Sequence, residues 1–167
     1  DGTNGFAIDG ATIGDWSGHA VGAAGDGNGD GYDDVVLGAW FADAGDRLDR
    51  VNGYLTDAGK AYVVFGPGAP ADLPVADLDG TNGFAMTGAE QMDRSGYRVS
   101  GAGDVNGDGI DDLIVSAHQA DADGRTGAGK GYVVFGASTG FGADIPLASL
   151  DGSNGFAIHG ADIYDNA

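Results

Sequence analysis

The sequence predicts an all-β protein made of β-propeller blades: two four-stranded antiparallel blades plus a flanking outer strand, part of a larger propeller or assembly. Three features point to it. The segment Asp-Gly-Thr/Ser-Asn-Gly-Phe-Ala begins at Asp1, returns at Asp79 and returns again at Asp151, so the chain is a repeat protein. Within each repeat, short runs of β-branched and aromatic residues lie between glycines, and no stretch has helical periodicity. Glycine supplies 34 of 167 residues without a three-residue period, which fits many turns between short strands and excludes a collagen-like chain. A β-sandwich would account for the strands but not for the repeat.

The elements follow in order. Residues 1–10 supply an outer strand, Asn4–Gly10, belonging to a preceding blade. Residues 11–88 form the first blade, with strands expected at Ser17–Gly22, from Val35, at Lys60–Gly66 and at Gly83–Gly88. Residues 89–160 repeat the pattern at Ser95–Ser100, from Leu113, at Lys130–Gly136 and at Gly155–Gly160. Continuous apolar runs such as Tyr62–Phe65 read as strands covered on both faces. Residues 161–167 align with Ala11–Ser17 and Ala89–Ser95, the start of a next repeat. The chain starts at Asp1 without methionine and reads as a processed or excised window from a longer array. If copies closed head to tail, Asn4–Gly10 and Asn154–Gly160 would compete for one strand position.

Between the first two strands of each blade lies an acidic loop, Asp26-Gly-Asn-Gly-Asp-Gly-Tyr-Asp-Asp34 and Asp104-Val-Asn-Gly-Asp-Gly-Ile-Asp-Asp112. Side-chain oxygens fall at loop positions 1, 3, 5 and 9: Asp26, Asn28, Asp30 and Asp34, then Asp104, Asn106, Asp108 and Asp112. The backbone carbonyl of Tyr32 or Ile110 would fill position 7. A hard cation takes six to eight oxygens at roughly 2.3–2.6 Å, so alternating carboxylates on a curled loop point to Ca2+, one ion per loop. Magnesium prefers a rigid octahedron and retains its waters. An EF-hand would close with glutamate at position 12, whereas Leu37 and Val115 stand there. The loop therefore closes early, on Asp34 or Asp112, and enters a strand. Acidic residues in the loops around Asp43, Asp46, Asp49 and Asp57, and around Asp121 and Asp123, read as solvated surface.

Formal charge is −19, carried almost wholly by aspartate. Such a surface repels nucleic acid and anionic membranes and attracts divalent cations. There is no cysteine, hence no disulfide frame or thiolate site. No apolar run approaches a membrane span, so membrane insertion is not expected. His19, His118 and His159 lack partners at catalytic spacing, and the serines lack a nucleophile elbow, so the chain does not read as an enzyme.

Gly103-Asp-Val-Asn-Gly-Asp-Gly-Ile-Asp-Asp-Leu113, followed by Gly129-Lys-Gly-Tyr-Val-Val-Phe-Gly136, resembles the FG-GAP repeat. That repeat is the blade unit of the integrin α-chain N-terminal propeller and of bacterial-type extracellular proteins. The resemblance covers two full repeats and their flanks, and implies calcium in the loop between the first two strands of each blade. One departure is that the name-giving Phe-Gly becomes Ser17-Gly18 and Ser95-Gly96, which would pass its packing role to Trp16 or Tyr97. The implied function is that of a calcium-stabilised, secreted or cell-surface module for adhesion, recognition or extracellular assembly. Its partners would be a protein or glycan ligand, further blades of the same array, or other copies. The alternative is an accessory propeller of a secreted hydrolase whose catalytic residues lie outside this chain.

Overall fold

The computed structural model describes residues 5–43, 57–66 and 72–164. Among these residues eleven strands follow in order: β1 Ala7–Asp9, β2 Ala20–Gly25, β3 Asp34–Ala39, β4 Lys60–Val64, β5 Asp72–Pro74, β6 Gly83–Thr87, β7 Ser95–Gly103, β8 Asp112–Ala117, β9 Lys130–Val134, β10 Asp144–Pro146 and β11 Gly155–His159. Strands β2, β3, β4 and β6 pair antiparallel as the first blade, and β7, β8, β9 and β11 as the second. Helix is confined to single 3-10 turns at Val75–Asp77 and Leu147–Ser149 among the described residues. Asp46 and Asp49, together with residues 1–4 and 165–167 of the outer segments, lie outside the described residues.

Two short strands add a feature that the sequence pattern did not reveal. Strand β10 leaves the second blade and joins the outer strand of the first, parallel, with Ile145 opposite Met86. Its counterpart β5 joins β1 in the same way, with Leu73 opposite Ile8. Three residues are too few to show alternation, and each segment ends in proline, which lacks a ladder donor and belongs at sheet edges. The flanking outer strand is therefore half of a two-stranded parallel ribbon. The first strand of the first blade also starts later than expected, at Ala20. A turn closed by His19 N–H donating to the Trp16 carbonyl at 3.1 Å occupies its predicted start.

The blades stack face to face. Strands alternate side chains between faces, and in the first blade Val36, Ala61, Val63, Phe84 and Met86 point toward the second blade. They pack there with Leu113, Val115, Tyr132, Val134 and Leu147. The opposite face of the first blade holds Leu37, Ala39, Tyr62, Val64, Leu73, Val75 and Leu78, with Ile8 against them. The central strands are thus covered on both sides, as their unbroken apolar runs predicted. Leu147, on the turn after β10, is 2% exposed and inserts into the interblade core. Phe141, just before β10, stacks on Phe84 with ring centroids 4.2 Å apart.

Close approach of the blades depends on glycine at one point. A Cβ at Gly38 in β3 would run into the backbone carbonyl of Gly96 in β7. Gly96 itself has φ +84°, a conformation that side chains with a Cβ resist. The Ser-Gly pair thus preserves a backbone contact that a larger residue would block. Gly38→Ala is expected to destabilise the chain by about 1–3 kcal/mol through overpacking. Urea unfolding at fixed calcium concentration measures this, and an unchanged midpoint would show that the blades do not need the contact.

Candidate metal centre

Each acidic loop is a chain of Asx turns, and glycine makes the curl. Gly31 and Gly109 at position 6 have φ +93° and +91°, with nothing within 4 Å of where a Cβ would sit. Backbone angle, and not space, demands glycine there. In the first loop the Asp26 carboxylate accepts the Asp30 N–H and the Gly31 N–H, both at 2.9 Å. Asn28 Oδ1 accepts the Asp30 N–H at 3.0 Å, and Asp30 Oδ1 accepts the Tyr32 N–H at 2.9 Å. The second loop repeats this. Asp104 accepts from Asp108 and Gly109, Asn106 from Asp108, and Asp108 from Ile110, at 2.9–3.0 Å. Successive side chains at positions 1, 3 and 5 are thereby turned back over the loop backbone.

Asp34 and Asp112 differ from the others. Both are buried, 1% and 0% exposed, at the first residues of β3 and β8. Asp34 Oδ2 accepts the Gly27 N–H at 3.1 Å and Oδ1 the Gly66 N–H at 3.0 Å. Asp112 accepts the Val105 N–H at 2.8 Å and the Gly136 N–H at 2.9 Å. Each carboxylate thus ties the start of its loop to the end of the blade's third strand. Burial pushes the Asp34 carboxyl up to about 6; the Asp30 and Asp26 charges add to the rise, and the two amides oppose it.

The donor set suits a hard cation in kind: carboxylate and amide oxygens, plus the carbonyls of Tyr32 and Ile110, with no nitrogen or sulfur ligand. A carboxylate oxygen that accepts one amide keeps a second lone pair. The ten candidate residues fall into two separate loops. They are not drawn into cages: among the described residues no group of three or more Asp, Glu, His or Cys converges closely enough to hold a metal by itself. One contact stands in the way. Asn28 Nδ2 donates to Asp30 Oδ2 at 2.9 Å, and Asn106 Nδ2 to Asp108 Oδ2 at 2.9 Å, so an oxygen of position 5 is turned to its neighbour.

The two loops are joined through a residue that the ligand pattern passes over. Asp111 Oδ2 in the second loop accepts the Asp26 N–H at 3.0 Å, and the Asp111 N–H donates to the Asp26 carbonyl at 3.2 Å. The Ala137 N–H adds a bond to the Gly27 carbonyl at 3.0 Å. Its signal is the doubled aspartate at positions 8 and 9, of which the ligand spacing uses only the second. The first loop is consequently more sheltered than the second, where Asp104, Val105, Asn106 and Asp108 are exposed.

A second cluster, which the sequence did not mark, spans the blades beside Gly38 and Gly96. Trp16, His19, Trp40 and Phe41 of the first blade meet Tyr97 and His118 of the second, with Trp40 and Tyr97 centroids 5.4 Å apart. The Arg94 guanidinium lies 5.2 Å from the Trp40 ring and Arg98 5.2 Å from the Tyr97 ring. Both residues expected to replace the missing phenylalanine are here, Tyr97 half-buried and Trp16 59% exposed. Burial, with Arg94 nearby, lowers the His118 pKa and favours its neutral form. His159 Nδ1 lies 3.0 Å from Asp123, an ion-pair position on the surface.

Paired antiparallel blades, each with an Asp/Asn/Asp loop between its first two strands, define a propeller-repeat protein of the integrin α type. The FG-GAP repeat model matches residues 95–134, which run from the start of β7 to the end of β9. The chain is similar to integrin alpha-IIb of Mus musculus, 31% identical over 167 residues, covering 95% of this chain and 15% of the relative. It is 35% identical to integrin alpha pat-2 of Caenorhabditis elegans over 147 residues, or 84% of this chain and 11% of the relative. It is 33% identical to integrin alpha-PS2 of Drosophila melanogaster over 136 residues, 81% and 9% respectively. The chain belongs to the FG-GAP repeat, integrin α-like β-propeller family, and spans less than a sixth of these relatives' lengths. No helix among the described residues is long and apolar enough to cross a membrane.

Asp111 gives this site its own test. Asp111→Ala leaves the Asp26 amide without its acceptor and frees the entry to the first loop, while every candidate ligand of both loops stays in place. Calcium affinity at the first loop is expected to fall about tenfold, the equivalent of roughly 1.4 kcal/mol. Calorimetry in an Asp108→Ala background isolates that loop, and an unchanged affinity would show that the loops act independently.

Proposed function

We propose that this chain is a calcium-stabilised, non-enzymatic propeller module that works outside the cell in adhesion, recognition or extracellular assembly. The observation that carries the calcium reading is one loop construction made twice, with carboxylates at positions 1 and 5 curled inward and a buried carboxylate at position 9. The three aspartates among each loop's candidate ligands repel one another, and a divalent cation would offset that repulsion while clamping two strands. The ligands would be Asp26, Asn28, Asp30, the Tyr32 carbonyl and Asp34, then Asp104, Asn106, Asp108, the Ile110 carbonyl and Asp112. Calcium would turn the amide oxygens of Asn28 and Asn106 and the second oxygens of Asp30 and Asp108 toward itself. A net charge of −19 favours surroundings rich in salt and divalent cations. The integrin α relatives support an extracellular setting, and the exposed Trp16 and Arg98 of the aromatic cluster offer a surface for a protein or glycan ligand.

Extracellular calcium modules bind with dissociation constants on the order of 0.1–1 mM. At about 2 mM calcium, linkage then gives roughly 0.6–1.8 kcal/mol per site. Melting in calcium is expected to exceed melting in chelator by several degrees, and Asp30→Ala and Asp108→Ala each remove about half the difference. Equal melting temperatures in both conditions would refute the reading. The effect also has a pH sign. Without the ion, the Asp34 carboxyl titrates near 6 in the folded chain against an ordinary value of 3.8, so its ionisation costs stability as pH rises through that window. Calcium binds the ionised form, so the gap between calcium and chelator melts is expected to be wider at about pH 7 than at about pH 5.

A further inference from the structure

Asparagine followed by glycine occurs at four places among the described residues: Asn28-Gly29, Asn82-Gly83, Asn106-Gly107 and Asn154-Gly155. At such a pair the glycine nitrogen can attack the preceding carboxamide, since no Cβ crowds its approach. The dipeptide is the same in all four, yet the fold holds the carboxamides in two opposite ways.

Asn82 and Asn154 are turned back along the chain. Asn82 Oδ1 accepts the Asp79 N–H at 3.1 Å, and its Nδ2 donates to the Asp77 carbonyl at 3.0 Å. Asn154 repeats this with the Asp151 N–H at 3.1 Å and the Ser149 carbonyl at 3.3 Å. The glycines that follow, Gly83 and Gly155, are the buried first residues of β6 and β11, opposite Val64 and Val134. Each carboxamide is thus fastened upstream, and each glycine nitrogen would have to leave its sheet to attack.

Asn28 and Asn106 are turned forward. Asn106 Oδ1 accepts the Asp108 N–H at 2.9 Å, closing a ring of atoms that includes the Gly107 nitrogen and holds Cγ beside it. The Gly107 N–H donates to Asp104 Oδ1 at 2.6 Å, so a carboxylate is in place to take its proton. Nδ2, the leaving group, lies 2.9 Å from Asp108 Oδ2. The Asp108 N–H also points at the oxygen on which charge develops during attack. In the first loop Asn28 accepts the Asp30 N–H at 3.0 Å in the same way. There, however, Asp26 accepts from Asp30 and Gly31 and not from Gly29. All these contacts lie inside the loops themselves, so none depends on what precedes or follows the two blades.

We propose that Asn106 is a self-modification site, where the Gly107 nitrogen closes on the carboxamide and converts it to a carboxylate. The nitrogen bonds to Cγ as its proton passes to Asp104, the Cγ–Nδ2 bond breaks, and ammonia leaves with that proton. The succinimide so formed takes up water and opens to aspartate or isoaspartate at position 106. Asn28 follows the same course more slowly, without the base, and Asn82 and Asn154 are preserved while the chain is folded. The chemistry does not need calcium. Its consequence rests on the calcium reading, because position 3 of the loop exchanges an amide for a charged group.

Ageing the full chain in chelator at about pH 8, below its melting temperature, tests this separately from calcium binding, with peptide mapping by mass spectrometry as the readout. Asn106 is expected to convert at least about tenfold faster than Asn82 and Asn154, with Asn28 between them. In denaturant the four are expected to convert at similar rates. Asp104→Asn is expected to slow Asn106 to the rate of Asn28 in the same molecules, with circular dichroism confirming the fold. No lead of Asn106 over Asn82 and Asn154 in the folded chain, the same ranking in denaturant, or an unchanged ratio of Asn106 to Asn28 in the Asp104→Asn chain would each overturn the proposal.

Discussion

A buried carboxylate at the first residue of the second strand holds the parts of each blade in place. Asp34 and Asp112 each receive one amide from the loop that precedes them and one from the end of the blade's third strand. A buried carboxylate without such donors would be strongly unfavourable, and with them it fixes loop, second strand and third strand in one geometry. The carboxylates at positions 1 and 5, half-buried at Asp26 and exposed at Asp30, Asp104 and Asp108, are then presented on a loop whose two ends are already tied down. Preorganisation of this kind would let four or five weak oxygen donors act together on the proposed cation.

Stacking passes order from one blade to the next by three routes. The apolar interblade core is the largest of them, and dispersion and burial there give the pair its stability. Strand β10 and the Leu147 turn clasp the first blade from the second, which is a directional hydrogen-bonded addition. The Asp111–Asp26 pair links the two acidic loops at the edge of the stack. Each of these contacts runs between neighbours only, as in other repeat architectures, where stability is a sum of unit and interface terms.

Much of this was legible in the sequence because repetition doubled every signal. The four strands per blade, the coverage of the first blade's central strands on both faces and the position of the acidic loops all followed from short apolar runs and glycine spacing. The short strands β5 and β10 were not legible: Asp72-Leu-Pro and Asp144-Ile-Pro are too brief for periodicity, and their partners lie in a neighbouring blade. Asp111 escaped notice for a related reason, since its partner Asp26 is 85 residues away and nothing local sets it apart from Asp33. The turn at Trp16–His19 replaced a predicted strand start because Trp16 and Gly18 take positive φ, at 58° and 83°, which alternation of residue types cannot show. The aromatic cluster gathers side chains from both blades, and only the stacking brings them together.

If the position-9 carboxylate both anchors the loop and faces the cation, its titration must respond to calcium. Carbon-13 NMR titration of the Asp34 side-chain carboxyl, in chelator and in saturating calcium, tests this directly. The expected midpoint is near 6 in chelator, set chiefly by burial, and well below that of an ordinary aspartate once calcium is bound. A midpoint that is the same in both solutions would show that Asp34 is a structural anchor alone and that no cation binds against it.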